Sequence, residues 1–494
     1  GQKWISVICF RYAFMKTIIT HTDFYEWLNG FINFEKRPHK KAFCLDVMRY
    51  YAARFANPQT AYRSAHIAGS KGKGSVAAML SALLAEAGCR TGLYTSPHVN
   101  DFRERITENG RFFSDEAYLT AFRTVRDGIE PHLGTAEAPQ PSWFELVTLT
   151  AFTLFRQERL DWAVFETGLG GRLDATNIVQ PELVLLTPIE LEHCEYLGGT
   201  IPLIAAEKAG IMKPGIPTFC ARQREDALAV FQRRAQKLTL PFFYLPDFVT
   251  GIEHRLVPHG REVVIEFSAA HPIGALFTRP LRTTLPLFTP VQAENAALAA
   301  AAFKYRYPDA PEELIERALS KAWLPARFQI LRRNPLIVID GAHTRNSLQT
   351  CADTFFGLTA LNAADGSNDD ADFHRSGVST DTKPALVFAC AADKNPEDFA
   401  PLFLGKVSRL FLTVPGSFKT GDLEKTVRAF THAFAADTAV VIEADEDFDT
   451  VLRRAFHRSI AEGRPLLVTG SFYLAAEAQR IYSAGDFQDR ETIG

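Results

Sequence analysis

The sequence predicts an α/β protein of two domains. The first is an N-terminal P-loop-type, mostly parallel sheet flanked by helices and carrying a small antiparallel sheet. The second is a C-terminal Rossmann-like α/β domain. Three observations predict this. Short apolar, β-branched runs alternate with segments of helical period, the pattern of a parallel sheet with helices on both faces. A glycine- and lysine-rich turn joins one such run to a helix, which is where α/β sheets hold anions. Two-residue alternation around Glu262–Phe267 separates the first alternating block from a second that starts at Leu336.

Taken in order, Ser64–Ile67 reads as a strand, and Val76–Ala87 has apolar residues at helical spacing. Arg90–Tyr94 reads as a strand, Leu146–Phe155 as a helix, and Trp162–Phe165 as an apolar strand ending in Glu166. Leu183–Thr187 reads as a strand and Ile201–Ile211 as a helix. Turn residues and alternation from about Thr250 to Thr289 predict an antiparallel hairpin or small sheet, and Gln292–Tyr305 an alanine-rich helix. The second block reads as strands at Leu336–Ile339, Ala385–Ala389, Arg409–Leu412, Ala439–Ile442 and Leu466–Val468. Helices are expected between them at Ser347–Phe356, Pro396–Phe403, Leu423–Phe434 and Phe448–Ser459. The boundary falls near Trp323–Pro325, giving domains 15–324 and 325–494. Residues 1–14, ahead of Met15, read as an N-terminal extension. Residues 362–383, rich in Asp, Ser, Ala and Gly, read as a mobile surface insertion.

Composition narrows the function. The 494 residues suit two large domains or three smaller ones, and 47% hydrophobic with 22% charged residues excludes a disordered chain. Lys+Arg 54 against Asp+Glu 57 leaves a net charge of -3, with no electrostatic footprint for nucleic acid or an anionic membrane. No apolar run approaches the roughly 18 residues of a membrane span. Cys9, Cys44, Cys89, Cys194, Cys220, Cys351 and Cys390 contain no Cys-x-x-Cys pair, so buried thiols of a reducing cytoplasm are expected.

Four clusters carry chemistry. The first is His66-Ile-Ala-Gly69-Ser70-Lys71-Gly72-Lys73-Gly74-Ser75, between a strand and a helix. Glycines let backbone N–H groups turn toward an anion. The helix N-terminus adds unpaired donors, Lys73 can reach phosphates, and Ser75 can cap the helix or meet a phosphate or metal. The spacing is not that of the Walker loop: Ile67 stands where its first glycine belongs, and Gly74 is inserted before the serine. The second cluster runs from Glu166 to Asn177. A carboxylate at the end of a parallel strand suits Mg²⁺, although a lone Glu there is more often a cap or ion pair. The third is Glu190-Leu-Glu192-His193 with Glu207-Lys208-Ala-Gly210. Taken alone, His193 fits a metal ligand or a structural histidine, Cys194 a packed thiol, and Lys208 a solvated helix charge. The fourth is Arg327, Asp340-Gly-Ala-His343 and Asp393-Lys394, which read as ligand-facing strand ends or as surface ion pairs and an Asp-Gly turn. Polar strand ends in both halves predict a cleft that closes on substrate.

Together these segments closely resemble the folylpolyglutamate synthase/dihydrofolate synthase family of the Mur ligase superfamily, from about Phe24 to Ile481. The family's phosphate loop usually reads His-Val-Ala-Gly-Thr-Asn-Gly-Lys-Gly-Ser, against His66–Ser75 here. Tyr94-Thr95-Ser96-Pro97-His98 with Phe102-Arg-Glu104-Arg105-Ile106 matches its next motif. Glu166–Asn177 matches Glu-Val-Gly-Leu-Gly-Gly-Arg-Leu-Asp-Ala-Thr-Asn, and Glu192-His193 through Lys208-Ala-Gly210 matches Leu-Asp-His…Glu-Lys-Ala-Gly. Gln292-Ala-Glu-Asn295-Ala, Ala326-Arg327-Phe328, Asp340-Gly-Ala-His343 and Thr469-Gly470-Ser471 follow in family order. Each motif alone is modest; the ordered set is specific. The sequence departs at Lys71 (usually Asn), Glu192 (Asp) and Thr344 (Asn), and Phe288-Thr-Pro290-Val replaces a Gly-x-His.

The resemblance implies an ATP-dependent amide ligase. It would add L-glutamate to dihydropteroate, to reduced folates or to both, through an acyl phosphate, using ATP and two Mg²⁺ ions. It implies a catalytic set of Lys73, Glu166, His193 and Lys208, the last matching a carbamylated lysine. Gly69, Ser70, Lys71, Gly72, Lys73, Gly74 and Ser75 would hold phosphates. Asn295, Arg327, Asp340 and His343 would contact the nucleotide. Ser96 and Glu166 would bind the first Mg²⁺, with His193 and Glu166 near a second. Arg105, Asp174 and Ala175 would meet the pteroate. Family members are often monomers, so a cytoplasmic monomer with small-molecule partners is expected. The alternatives are a Mur-type ligase for a different carboxylate, against which the Asp-Ala-Thr-Asn loop weighs, and a non-catalytic nucleotide binder, which loss of Lys73, Glu166 or His193 would have favoured.

Overall fold

The computed structural model describes residues 18–33, 44–365, 383–485 and 487. The extension expected at 1–14 and most of the insertion expected at 362–383 lie outside them; residues 362–365 complete the helix Arg345–Asp365.

The first sheet contains β1 (Arg63–Ala68), β2 (Thr91–Tyr94), β3 (Ile106–Glu108), β4 (Trp162–Glu166), β5 (Leu183–Leu186), β6 (Thr218–Cys220) and β7 (Phe242–Tyr244), in the order β3-β2-β4-β1-β5-β6-β7. All neighbours are parallel except β3, which runs antiparallel to β2. β4 and β5 are buried throughout, as expected of strands covered on both faces and hence apolar without alternation. The stretch read as a hairpin or small sheet is three-stranded and antiparallel: β8 (Val249–Val257), β9 (Gly260–Phe267) and β10 (Leu281–Leu285), with β9 central.

The last sheet contains β11 (Gln329–Arg333), β12 (Leu336–Ile339), β13 (Ala385–Phe388), β14 (Arg409–Leu412), β15 (Val441–Ala444) and β16 (Leu466–Thr469), in the order β11-β12-β16-β13-β14-β15. β11 is its antiparallel edge. Two readings need correction here. Pro396–Phe403 is two 3₁₀ turns, Pro396–Asp398 and Ala400–Phe403, because Pro401 supplies no N–H to continue an α-helix. The strand read at Ala439–Ile442 starts later, where Val441 pairs with Arg409.

Sequence periodicity marks the helices that hold the site. Lys73–Glu86 is buried nearly all round, between the first sheet and the helices Gln292–Arg306 and Glu312–Leu319. This explains its lack of a polar face. Ala296 to Ala302 are buried in Gln292–Arg306, and their small side chains let the two helices approach closely. Trp143–Gln157 begins with a capping box: Ser142 Oγ accepts from Glu145 N–H, while the Glu145 carboxylate accepts from Ser142 N–H at 2.7 Å.

The order β4-β1-β5 sets three strand C-termini side by side at one edge. The two halves meet beside that edge. Phe328 packs against Phe288 with ring centroids 5.2 Å apart and the rings tilted by 36°, and Val99 packs into the core around Ala326 and Phe472. Among the described residues no helix is long and apolar enough to cross a membrane. The expectation of buried thiols holds for Cys220, Cys351 and Cys390 but not for Cys44 or Cys194, which are exposed.

Candidate active site

The loop after β1 is built by two crowded glycines. A Cβ on Gly69 would lie 1.8 Å from Thr187 Oγ1. Gly72 sits at φ +85°, and a Cβ there would lie 2.8 Å from Asn295 Oδ1. The helix then starts at Lys73 with no side chain capping it. Its first-turn amides, from Lys73, Gly74 and Ser75, are therefore the donors aimed out of the loop. This corrects one expectation: the amides of Ser70 and Lys71 are not available to an anion, because both donate to Pro188 O, at 2.9 and 3.3 Å. Ser70 Oγ also donates inward, to Glu190 O at 3.1 Å.

Glu166 ends β4 beside this helix start. It is 4% exposed, and its carboxylate oxygens lie 3.4 and 3.7 Å from where a Cβ on Gly74 would be. The described contacts give it one hydrogen-bond donor, Ser96 N–H at 3.1 Å. Burial pushes its carboxyl up, against the pull of Lys73, that amide, Arg327 and Arg105. Arg105 is fully buried, donates to His98 Nδ1 at 2.8 Å and lies 4.8 Å over the Trp143 ring. Sequence reading missed His98 and Trp143 as its partners.

Lys208 is not a solvated helix charge. It is 1% exposed, and its Nζ donates to Gly69 O at 2.8 Å and to Glu192 Oε1 at 2.9 Å. Burial and the Lys73 charge bring it down to about 8, against the attraction of Glu192. Glu192 is held well below the usual carboxylate range: the Lys73 and Lys208 cations outweigh its burial. The extra methylene of Glu192 thus reaches a specific cation. His193 follows at φ 47° and is exposed, opening the short turn Cys194–Leu197.

The Gly168–Asn177 loop is clamped from within. Asp174 accepts from Gly168 N–H and Leu169 N–H, both at 2.9 Å, from Thr176 N–H at 3.1 Å, and from the Thr176 hydroxyl. That hydroxyl has a single proton, so it accepts from His66, which is its Nε2–H tautomer at 2.7 Å. Ala175 packs into the core. The Asp174 carboxylate is therefore spent on loop shape, and any contact it makes with a pteroate would be in addition to four hydrogen bonds. Asn177 Nδ2 ties the loop to Arg172 O and Gly210 O, which fixes the turn that follows Lys208.

Asn295, on the helix Gln292–Arg306 of the first half, is buried and donates to Gln292 Oε1 at 3.0 Å. The second half faces the same edge. Arg327 is half-buried, and its charge bears on Glu166, Lys71 and His343. His343 donates from Nδ1 to Gly341 O at 2.9 Å; burial and the Lys71 charge hold it at about 4, so it is neutral. Asp340 is buried with both carboxylate oxygens on backbone amides.

The site gathers cations and N–H donors around one buried, under-coordinated carboxylate. A hard divalent ion fits Glu166, whose remaining lone pairs face the helix start. Among the described residues no group of three or more His, Cys, Asp or Glu side chains could hold a metal by itself, so an ion at Glu166 would share phosphate oxygens and waters, as Mg²⁺ does.

No protein-family model matches the chain. Curated relatives do. The dihydrofolate synthase/folylpolyglutamate synthase of Bacillus subtilis is 34% identical over 339 residues, 68% of this chain and 76% of that protein. The folylpolyglutamate synthase of Mycobacterium tuberculosis, solved with ADP and AMPPCP, superposes with a TM-score of 0.75 at 25% identity, over 89% of this chain and 95% of that one. That of Thermotoga maritima gives 0.74 at 26% identity, over 95% and 98%. With the strand order, the loop and the ordered motifs, these similarities place the chain in the folylpolyglutamate synthase/dihydrofolate synthase family of ATP-dependent ligases.

Proposed function

We propose that the protein joins L-glutamate to the carboxyl group of dihydropteroate, of reduced folates, or of both, with ATP cleaved to ADP and phosphate. The observation that supports this most is the convergence of the Lys73 helix start and the buried Glu166 carboxylate at one sheet edge, with Lys208 beside the loop. A carboxylate is a poor electrophile. Transfer of a phosphoryl group to it creates an acyl phosphate, the glutamate amine attacks the carbonyl carbon, and phosphate leaves.

In this reading the first-turn amides of Lys73, Gly74 and Ser75 and the Lys73 ammonium hold the β/γ-phosphates and neutralise charge that develops during transfer. Lys71 and Arg327 add cationic charge from the loop and from the other half. Asn295 and His343 face the nucleotide. Glu166, with Ser96 beside it, would hold Mg²⁺, and His193 would serve a second ion; bound Mg²⁺ would supply charge neutralisation of the phosphates. Arg105 and the Asp174–Ala175 loop border the pteroate side. The lowered Lys208 supplies a neutral amine fraction near neutral pH, the form that reacts with CO₂ to give a carbamate and a proton. That modification would replace its bond to Glu192. We place the protein in the cytoplasm as a monomer, with its two domains dividing at residues 324 and 325.

The test is glutamate-dependent phosphate release from MgATP, with dihydropteroate and a reduced folate offered separately. Activity with both makes the enzyme bifunctional, and activity with one fixes its role. Folded, ATP-binding protein inactive with both would overturn the substrate assignment in favour of another carboxylate. For Lys208, an unshifted intact mass in bicarbonate would remove the carbamate from the account.

A further inference from the structure

We propose that Arg261 is a positioning residue for the nucleotide: it pins the Phe288 carbonyl and so seats the start of the helix Gln292–Arg306, with Asn295, against the phosphate loop. The kinetic part of this inference rests on the ligase reading above. Arg261 lies on β9, the middle strand of the small antiparallel sheet. It is 5% exposed, and among the described residues no carboxylate pairs with it; burial pushes its guanidinium down and no acid opposes that. A buried charge without an acid is costly, and arginine offers donors only. Two of them are used. Nε donates to Phe288 O at 2.7 Å, and Nη1 donates to His254 Nδ1 at 3.0 Å. A planar guanidinium sets both directions at once, so one rigid group ties the Phe288 carbonyl to β8.

From Phe288 a short relay of hydrogen bonds leads to the phosphate loop. Gln292 N–H donates to Thr289 O and Ala293 N–H to Pro290 O, both at 3.1 Å, which opens the helix. Gln292 Nε2 donates to Thr289 Oγ1 at 3.4 Å, and Asn295 Nδ2 donates to Gln292 Oε1 at 3.0 Å. Asn295 Oδ1 in turn lies 2.8 Å from where a Cβ on Gly72 would be. No side chain caps this helix, so its first turn takes its place from the segment before it. Phe288 also enters the core of the second half, where it is 5% exposed beside Phe328. The hairpin that carries Arg261 reaches the same half twice more: Arg333 Nη1 donates to Pro258 O at 3.0 Å, and Leu256 packs against that core. Arg261 thus stands between the junction of the two halves and Asn295.

The experiment measures binding of a nonhydrolysable ATP analogue with Mg²⁺, by calorimetry, to wild type, Arg261→Met, Asn295→Ala and the double variant. Arg261→Met should weaken binding about tenfold, as misplacement of a contact does. Arg261→Lys keeps one donor for Phe288 O and should come within about threefold of wild type. The double variant should bind as Asn295→Ala does, within about twofold, because residues that act through one another are non-additive. In turnover, Arg261→Met should raise KM for ATP more than KM for glutamate. Wild-type affinity in Arg261→Met, or losses that multiply in the double variant, would overturn the proposal. Val263→Ala, a core truncation on the same strand, controls for stability: it should lower Tm and leave affinity within about twofold. An equal loss of affinity there would make the effect general destabilisation and overturn the proposal. Where Arg261→Met folds poorly, His254→Leu, at an exposed position, frees one end of the guanidinium. It should weaken binding about threefold in wild type and not at all in Asn295→Ala; no weakening in wild type would overturn the proposal. Amide exchange at Gln292 and Asn295, faster in Arg261→Met, reads the relay without nucleotide, and unchanged exchange would overturn it. Wild-type protein that binds the analogue without turning over substrate would count against the ligase reading and leave the binding cycle to decide the role of Arg261.

Discussion

Glu166 and Asp340 occupy equivalent places in the two halves of the molecule: each is a buried carboxylate at the C-terminal end of an inner strand. Their surroundings differ. Glu166 has one backbone donor and faces a helix start and Lys73. Asp340 accepts one backbone amide on each oxygen, from Phe328 and Ala342. The comparison teaches that strand-end position does not determine use. Glu166, with one fixed donor, keeps most of its acceptor sites for a cation, whereas Asp340, held by an amide on each oxygen, also fixes the backbone around it.

The largest expected effect lies on the Glu166 side. Lys73→Ala should lower turnover by about 10³-fold or more, with circular dichroism and Tm unchanged; near-normal kcat would contradict the phosphate-loop assignment. Next, Glu166→Gln and Asp340→Asn should separate stability from activity. Glu166→Gln should lower kcat about 10²-fold and raise the Mg²⁺ concentration required, with no loss of Tm, because it removes a buried charge that has few partners. Asp340→Asn should cost about 1–3 kcal/mol of stability, since an amide nitrogen would face a backbone donor. Equal stability losses in the two variants would erase the comparison.

A smaller effect is expected at Gly69. Gly69→Ala should destabilise by about 2 kcal/mol, because its Cβ would overlap Thr187, and an unchanged denaturation midpoint would contradict the crowding. A pH effect is expected at His66, small near neutral pH and growing as the pH falls. Burial, assisted by the Lys213 charge, lowers it to about 3. Below about pH 6.5 the unfolded chain takes up a proton that the folded chain refuses, so stability falls as pH drops from about 6.5 toward 3. His66→Gln, which keeps a donor for Thr176, should flatten that fall in a Tm series; an unchanged slope would reassign it to other groups.

Much of this was legible in the sequence, because chemistry constrains composition where it is most demanding. The Gly69–Ser75 loop, the apolar strand ending in Glu166 and the alanine-rich Gln292–Arg306 helix could be read directly. The antiparallel edges β3 and β11 could not: they are short, and nothing in their pattern sets direction. Asp115–Ile129 and Glu225–Leu238 carried helical signals, including the Ser114 cap, that the reading passed over. Long-range pairings were beyond it. Pro188 captures two loop amides from over a hundred residues away, Glu192 neutralises Lys208, and four donors saturate Asp174. A motif names the residue types at a site; it does not say which of their atoms are already bonded.

The most direct test of the central claim follows the oxygen atoms. The acceptor substrate is prepared with ¹⁸O in the carboxylate that receives glutamate and turned over with unlabelled ATP. Activation as an acyl phosphate predicts that one labelled oxygen per turnover leaves in inorganic phosphate while the other stays in the new amide. Unlabelled phosphate, with product still formed, would contradict the account.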